Sequence, residues 1–503
     1  MILPLLLLAG LAAEHAAPPP NLVLFLVDDL GWQDTSVPFH TQRTPFNDRY
    51  RTPHLERLAE RGLRFTQSYA SAPVCTPTRT AILTGRSPGQ THITYWTLRK
   101  DTDTTTRHAT LDPPPWRVNG LSETDVTLPA LLRRAGYLTI HAGKAHFGAH
   151  DTFGGDPRQL GFEVNIAGHA SGAPASYLGR QHFTVAGKNG EPPHSKPSLW
   201  DVPGLERYHG HDLYLTEALA LEATAAVREA VAAGRPFFLN FAPYAVHAPI
   251  MANERYLAHY PDLDPLEAAY ATMVESSDAA LGALVETLTE LRQLDNTWIL
   301  FSSDNGGLSA HGRGGEPHTH NAPLRSGKGS AYEGGIRVPA IAAGPGLARA
   351  GEVDATPIIS HDFFPTLLGL AGVSIPEELS PRIEGRDLRP LLQTRTAAFD
   401  RERPLFWNQP HQWGAPGPGI EPFSAVRQGA FKLIHFHAGG RFELYDLSND
   451  LGETTNLADQ QPDRVRTLAA TLLDWIEARG VQLSIERETG RPVSLPFGSD
   501  SAR

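Results

Sequence analysis

The chain has 503 residues, 41% of them hydrophobic and 20% charged, with a formal net charge of −11. That is length enough for two domains, and the acidic balance argues against nucleic acid as a partner, so a polyanionic ligand would have to meet a local cluster of Lys, Arg and His. A single cysteine excludes an internal disulfide.

From the N-terminus, an apolar run from Ile2 to Leu11 is followed by the small residues Ala12, Ala13, Ala16 and Ala17. This is the pattern of a secretory signal, expected over residues 1–17, with the difference that no Lys or Arg precedes the run. The run is too short to span a bilayer, which takes about 20 apolar residues. Pro18, Pro19 and Pro20 separate it from the next apolar run, which begins at Asn21. No Asn-x-Ser/Thr acceptor occurs anywhere in the chain. Together with the lone cysteine, this favours an exported bacterial protein, periplasmic or secreted, without stable membrane insertion.

Four continuous apolar runs end in polar or glycine-rich residues: NLVLFLVDD at 21–29, YLTIHAGK at 137–144, PFFLNFAPYAVH at 236–247 and TWILFSSDNGG at 297–307. Continuous rather than alternating apolar character predicts strands covered on both faces, as in a parallel sheet. Helical stretches are expected before three of them, over 127–135, 212–233 and 276–294. This alternation predicts a doubly wound, mostly parallel α/β sheet, in which ligands gather beyond the carboxyl ends of the strands. Asp28, Asp29, Lys144, His247, Asp304 and Asn305 all stand at such ends.

Long Pro/Gly-rich segments, 99–125 and 148–211, read as walls of a pocket. A breaker-rich stretch at 373–403 reads as a connection. Beyond it PLFWNQPHQW, SAVRQGAFKLIHF and RFELYDLSND predict antiparallel strands, and 463–479 a covering helix. The expected organisation is a catalytic α/β domain over 21–392, a smaller C-terminal α+β domain over 402–485 and an extended tail over 486–503.

The segment Cys75-Thr76-Pro77-Thr78-Arg79, followed by Thr80-Ala81-Ile82-Leu83-Thr84-Gly85-Arg86, resembles the signature of the type I, formylglycine-dependent sulfatases of the alkaline-phosphatase-like superfamily. Further blocks of that family occur in order: VDDLGW, GKAHFG, HAP, SSDNGG, GKGSAYEGGIRVP and ELYDLSND. The resemblance implies that Cys75 is oxidised to formylglycine by a maturation enzyme, and that its hydrate attacks sulfur. It also implies a calcium ion held by Asp28, Asp29, Asp304 and Asn305, with the residue-75 hydrate completing the shell. Oxygen donors of this kind suit a hard cation, calcium before magnesium.

Hydrolysis of a stable anionic ester needs a strong nucleophile, charge neutralisation and a protonated leaving group. Arg79, Lys144 and Lys328 are the candidate sulfate clamps. By resemblance, His247 protonates the leaving alcohol and His146 takes the proton from the second hydroxyl as sulfate departs. The family more often has Trp and Leu where this chain has Ala145 and Phe147, which implies a more open pocket wall.

The inserted segments are rich in polar and aromatic groups, and His92, Trp96, His169, Arg180, Asn321, Arg325 and His411 are expected to touch substrate, with Trp413 beside them. The blocks THITYW, WRVNGL and NIAGHASGAP are similar to bacterial sulfatases acting on polysaccharide-derived sugars. The expected substrate is therefore a sulfated carbohydrate, attacked exo-wise, with the 4-O-sulfate of a galactose-type residue as one choice. The other readings are an arylsulfatase of broad specificity, a phosphomonoester or phosphonate hydrolase on the same scaffold, and an inactive glycan-binding relative.

Overall fold

Every residue from Asn21 to Val27 is buried, because side chains that alternate across a strand meet a different apolar layer on each face. In the computed structural model, which describes residues 18–185, 198–310, 312–395 and 399–495, this strand lies inside an eight-stranded sheet. Taking the sheet's strands in chain order, they are β1 (Asn21–Val27), β2 (Leu63–Phe65), β3 (Leu138–Gly143), β4 (Val164–Ile166), β5 (Phe237–Ala242), β6 (Thr297–Ser303), β7 (Ala340–Ala343) and β8 (Val353–Asp354). Their spatial order is β8-β2-β7-β6-β1-β5-β3-β4. β1 is parallel to both β5 and β6, and β3 is parallel to β4 and β5. Only β7 runs against its neighbours β6 and β2, so the sheet is mixed but mostly parallel.

Val23, Phe25 and Val27 pack on one side with helices Leu215–Ala232 and Pro265–Glu290. Leu22, Leu24 and Leu26 pack on the other with helices Cys75–Thr84, Leu128–Arg134 and Phe363–Leu370. Each such fully buried Val, Leu or Phe contributes roughly 1.5–3 kcal/mol. The helix expected over 276–294 begins eleven residues earlier, at Pro265. Asp264 caps it through Leu266 N at 2.9 Å, and Pro265 takes the first helical position. Neither β2 nor β7 was expected from the sequence.

The C-terminal part forms a four-stranded antiparallel sheet, β9 (Leu405–Gln409), β10 (Phe423–Gln428), β11 (Phe431–Phe436) and β12 (Arg441–Asp446), covered by helix Pro462–Arg479. Val426, Leu433 and Leu444 face that helix. Trp407, Ala425, Ile434 and Tyr445 face Tyr69, Tyr332 and Ile359 of the larger part. Among these apolar contacts lies an ionic cluster in which Lys432 Nζ is 3.0 Å from Glu333 and 2.7 Å from Glu453, all three fully buried. The start of the expected tail is pinned, since Ile485–Glu486 pairs with Leu111–Asp112. The expected signal segment, 1–17, and the end of the tail, 496–503, lie outside the described residues. No helix among the described residues is long and apolar enough to cross a membrane.

Candidate active site

β1 ends at Val27 and hands the chain to Asp28 and Asp29, which are 0% and 1% exposed. Asp29 sits in the left-handed region at φ 58, so the two carboxylates leave the backbone in different directions. β6 delivers Asp304 and Asn305, both fully buried. β3 ends at Gly143, whose φ of 96 and closeness to β5 demand glycine: a Cβ there would lie 2.0 Å from the Ala242 carbonyl oxygen. Lys144 and His146 follow immediately.

Cys75 is the first residue of its helix and 3% exposed, so the partial positive charge of the helix N-terminus bears on it. Its sulfur lies within 4.8 Å of donor atoms of Asp28 and Asp304, and likewise of Asp29 and His247. Burial pushes the Cys75 thiol up to about 11 despite Lys144 and Lys328 nearby, so as a plain thiol it stays protonated.

Cations knit the carboxylates together. Arg79, one turn into the same helix, donates from Nε to Asp304 Oδ2 at 2.7 Å and from Nη1 to the Lys144 carbonyl at 2.8 Å. Lys144 Nζ is 2.7 Å from Asp28 Oδ2, and Lys328 Nζ is 2.7 Å from Asp29 Oδ1. Burial opposes ionisation at all three carboxyls. At Asp29 the charges of Lys328 and Lys144 outweigh it, and at Asp304 those of Arg79 and Lys144 do, so both stay below the usual carboxylate range. Asp28 is pushed well above that range by burial, against the pull of Lys144 and with Asp304 and Asp29 adding to the rise.

The donor set fits a hard cation on evidence of its own. Asp28 Oδ1 and Asn305 Oδ1 are buried with no hydrogen-bond partner, a costly state unless something else satisfies them. Asn305 orients its amide by donating Nδ2 to Asp29 Oδ1 at 2.8 Å and to the Gly306 carbonyl at 3.0 Å, which leaves the amide oxygen free. Oxygens converging in this way from two strand ends are what calcium or magnesium takes.

Two imidazoles complete the site. His146 donates Nε2–H to the Thr97 carbonyl at 2.9 Å, so its buried, unpartnered Nδ1 carries the lone pair. Gly172 leaves room for that ring, because a Cβ at 172 would come within 2.4 Å of it. His247 donates Nδ1–H to the Ala248 carbonyl at 2.7 Å and turns Nε2 toward Asp29 Oδ2, 3.7 Å away. Burial, with Lys144 next, holds His146 well below the usual imidazole range. Burial, with Lys328 next, lowers His247 to about 3. Both are therefore neutral near pH 7.

The expected substrate residues divide. Trp96 and His169 lie beside the centre: Trp96 precedes Thr97, and the His169 carbonyl accepts His146 N at 3.1 Å. The other five have polar groups engaged by neighbours within the protein. His92 bonds the Gly480 carbonyl at 2.9 Å, against the end of the C-terminal helix. Arg180 pairs with Glu254 at 3.1 Å and Asp212 at 3.4 Å on the surface. Asn321, buried, donates to the carbonyls of Gly307 and Ser326 and braces the loop. Arg325 donates to the Glu453 carbonyl and lies over Tyr332. His411 is buried with hydroxyls of Thr94 and Thr105 on its two ring nitrogens. In each case a polar side chain in a loop satisfies backbone or neighbouring groups, a demand that spacing along the chain does not reveal. The sequence reading also missed Thr97 and Gly172. Thr97 acts through its carbonyl and Gly172 through a missing side chain, so neither carries a compositional signal.

A sulfatase family model matches residues 20–373, and a model described as the C-terminal region of N-sulphoglucosamine sulphohydrolase matches residues 327–478. The N-acetylgalactosamine-6-sulfatase of Homo sapiens is 33% identical over 410 residues, covering 79% of this chain and 70% of that protein. A protein named sulfatase from Formosa agariphila is 29% identical over 514 residues, covering 91% and 88% respectively. Among solved structures, Ps i-CgsB superposes with a TM-score of 0.74 at 27% identity, over 92% of this chain and 94% of that one. The chain belongs to the sulfatase family and is a sulfuric ester hydrolase.

Proposed function

We propose that the protein removes O-sulfate from a sugar, with residue 75 as a formylglycine nucleophile and calcium as the metal. The observation that supports this most is the place of Cys75: buried on a helix N-terminus, between Lys144 and Lys328, with donor atoms of Asp28, Asp304, Asp29 and His247 within 4.8 Å. The sugar reading draws on the N-acetylgalactosamine-6-sulfatases among the relatives.

Asp28, Asp29, Asp304 and Asn305 are the residues that would hold calcium, which supplies fixed positive charge beside the sulfate and favours ionisation of a neighbouring hydroxyl. As a hydrated formylglycine, residue 75 offers two hydroxyls, one to attack sulfur and one to let sulfate leave. Lys144, Lys328 and Arg79 balance anionic charge in a largely buried site, where such charge counts for more than in solution. His247 Nε2 faces residue 75 as an acceptor. Bound anionic sulfate raises its affinity for a proton, which it then passes to the leaving alcohol. His146, fixed by the Thr97 carbonyl, offers Nδ1 as a base. Because Cys75 is buried, a maturation enzyme has to reach it before the fold closes. Export to the periplasm or medium belongs to the same reading.

Mass spectrometry of the peptide containing residue 75 from the native host tests the nucleophile. A thiol replaced by an aldehyde lowers the mass by roughly 18 Da, whereas an intact thiol in fully active protein would reject the assignment. Cys75→Ala is expected to abolish turnover with the fold retained. Paired aryl sulfate and aryl phosphate assays separate sulfatase from phosphatase action, and a screen of 4-O- and 6-O-sulfated galactose and N-acetylgalactosamine identifies the sugar.

A further inference from the structure

Beside Lys328 the structure holds a group of aromatic rings that nothing in the chemistry of ester cleavage requires. Tyr95 is its centre. It stands edge-on to Trp116 at 6.3 Å and to Trp413 at 6.0 Å, is tilted against Trp96 at 6.3 Å, and stacks on His411 at 4.8 Å. Tyr95 and Trp116 are buried together with Val74, the residue before Cys75, while Trp96 and Trp413 are only partly covered. Both partly covered indoles pack on the cluster that contains Val74. Trp413 lies 5.5 Å from Lys328 Nζ, within cation–π reach, and so close to Gly329 that a Cβ there would meet its ring at 2.7 Å. Trp96 is followed by Thr97, whose N–H reaches Thr76 Oγ1 at 3.4 Å and whose carbonyl fixes His146.

The rings are held rigidly. Tyr95 donates its hydroxyl to the Gln412 carbonyl at 2.8 Å, and Gln412 Nε2 donates to the Trp413 carbonyl at 3.0 Å. The loop carrying Trp413 is fastened to the loop of Lys328, since Ser330 Oγ donates to the Pro418 carbonyl at 2.8 Å and Ala331 N to the Gly419 carbonyl at 3.0 Å. Gly329 N in turn donates to the Pro73 carbonyl at 2.9 Å, two residues before Cys75. One further polar group is left over: Trp116 Nε1 is buried in this cluster without an acceptor, and Trp116 is 9% exposed.

We propose that Trp413 and Trp96 form a rest for the pyranose ring that carries the scissile sulfate, and that Trp413, supplied by the C-terminal sheet region, determines specificity for sugar esters. This rests on the reading of the site given above. A sulfate held by Lys328 has its alcohol only a few bond lengths away, and at that range from Lys328 the indole of Trp413 is the apolar surface the alcohol meets. The C–H face of a pyranose packs on an indole, which leaves its hydroxyls free for hydrogen bonds around the rim. Rings already fixed in place lose little freedom when a sugar settles on them.

The test uses the mature enzyme with wild-type, Trp413→Ala, Trp413→Phe and Trp96→Ala chains, assayed on the sulfated monosaccharide that the wild type turns over best and inhibited by inorganic sulfate. The expected result is a tenfold or greater rise in KM for Trp413→Ala, a smaller rise for Trp96→Ala, and recovery of most of the loss in Trp413→Phe. The inhibition constant of inorganic sulfate, which has no ring, should shift several-fold less than KM. Equal shifts in KM and in sulfate inhibition, or an unchanged KM, would overturn the proposal. The underlying reading fails separately, if the wild-type enzyme cleaves aryl sulfates and no sulfated sugar.

Discussion

Arg79 and Asp304 meet at 2.7 Å with neither exposed, and the same guanidinium caps the carbonyl of Lys144. One side chain thus ties the helix that begins with Cys75 to the ends of β3 and β6, and fixes where residue 75 stands relative to the carboxylates. Arg79→Gln leaves Asp304 and Asp28 short of buried positive charge. Removing one partner of a buried pair is expected to lower stability by about 3–5 kcal/mol and kcat by at least about a hundredfold. Urea unfolding and steady-state kinetics measure both, and a variant with wild-type kcat would contradict the role given to Arg79.

Gly172→Ala should disable the base without unfolding the protein. The new methyl would press on the His146 ring, which a Cβ approaches to 2.4 Å, and displace Nδ1. Loss of one positioned proton-transfer group costs about 10²–10⁴ in rate. The measurement is kcat beside a thermal melt; equal kcat in variant and wild type would sink the idea.

If the orphaned oxygens of Asp28 and Asn305 belong to a cation site, chelation acts on stability as well as on rate. At a hundredfold excess over its dissociation constant a bound ion adds about 2.7 kcal/mol. Dialysis against a chelator is expected to lower Tm and abolish turnover, and calcium should restore both at lower concentration than magnesium. A Tm indifferent to chelation and to added calcium would reject the site.

The C-terminal sheet region should be acid-sensitive. Burial lowers His411 to about 3 and His435 to about 4, and holds His437 well below the usual imidazole range. In the unfolded chain each titrates near 6.5, at about 1.4 kcal/mol per pH unit. Their contribution is complete above pH 6.5 and is lost as the pH falls from there toward the folded-state values. His435, whose two ring nitrogens are buried without partners, is the clearest member. Urea midpoints between pH 4.5 and 7.5 should fall less steeply for His435→Phe than for wild type, and parallel slopes would refute this.

Lys432 answers two buried carboxylates, Glu333 and Glu453. Lys432→Met leaves them facing each other and is expected to destabilise by about 3–5 kcal/mol. Glu333 keeps Arg337 at 3.2 Å, so adding Glu453→Gln to that variant removes the charge left without a cation and should recover part of the loss. Denaturant unfolding of both variants gives the comparison, and a double variant no more stable than the single one would refute the charge argument.

Much of the scaffold was legible because burial on both faces of a strand leaves a signal in the chain. The runs at 21–29, 137–144, 236–247 and 297–307 are continuous apolar stretches, and they became β1, β3, β5 and β6. Their polar ends were legible for the same reason, since a charged residue closing such a run has to meet something at the sheet's edge. β2 and β7 were not legible: three and four residues long, they are shorter than any periodicity can register. The first turns of the long helix from Pro265 were legible, since Asp264 and Pro265 are a helix-start signal and the alanine-rich run after them favours helix, although the expected helix began only at 276.

What the sequence determined by itself was the inventory and the order: one nucleophile candidate, three acids and an amide at strand ends, three cations, two imidazoles and the family they resemble. What the tertiary structure decided was the use of each polar group in between. His92, Arg180, Asn321, Arg325 and His411 had the composition of a sugar site, yet each has its polar groups engaged within the protein, His92 by a carbonyl 388 residues away in the chain. Trp413, from the C-terminal sheet region, came to lie over Lys328. Side-chain type sets what a group is able to bind, but a buried group has to be satisfied by whichever neighbour the fold brings within about 3 Å, and that neighbour is not written in local sequence.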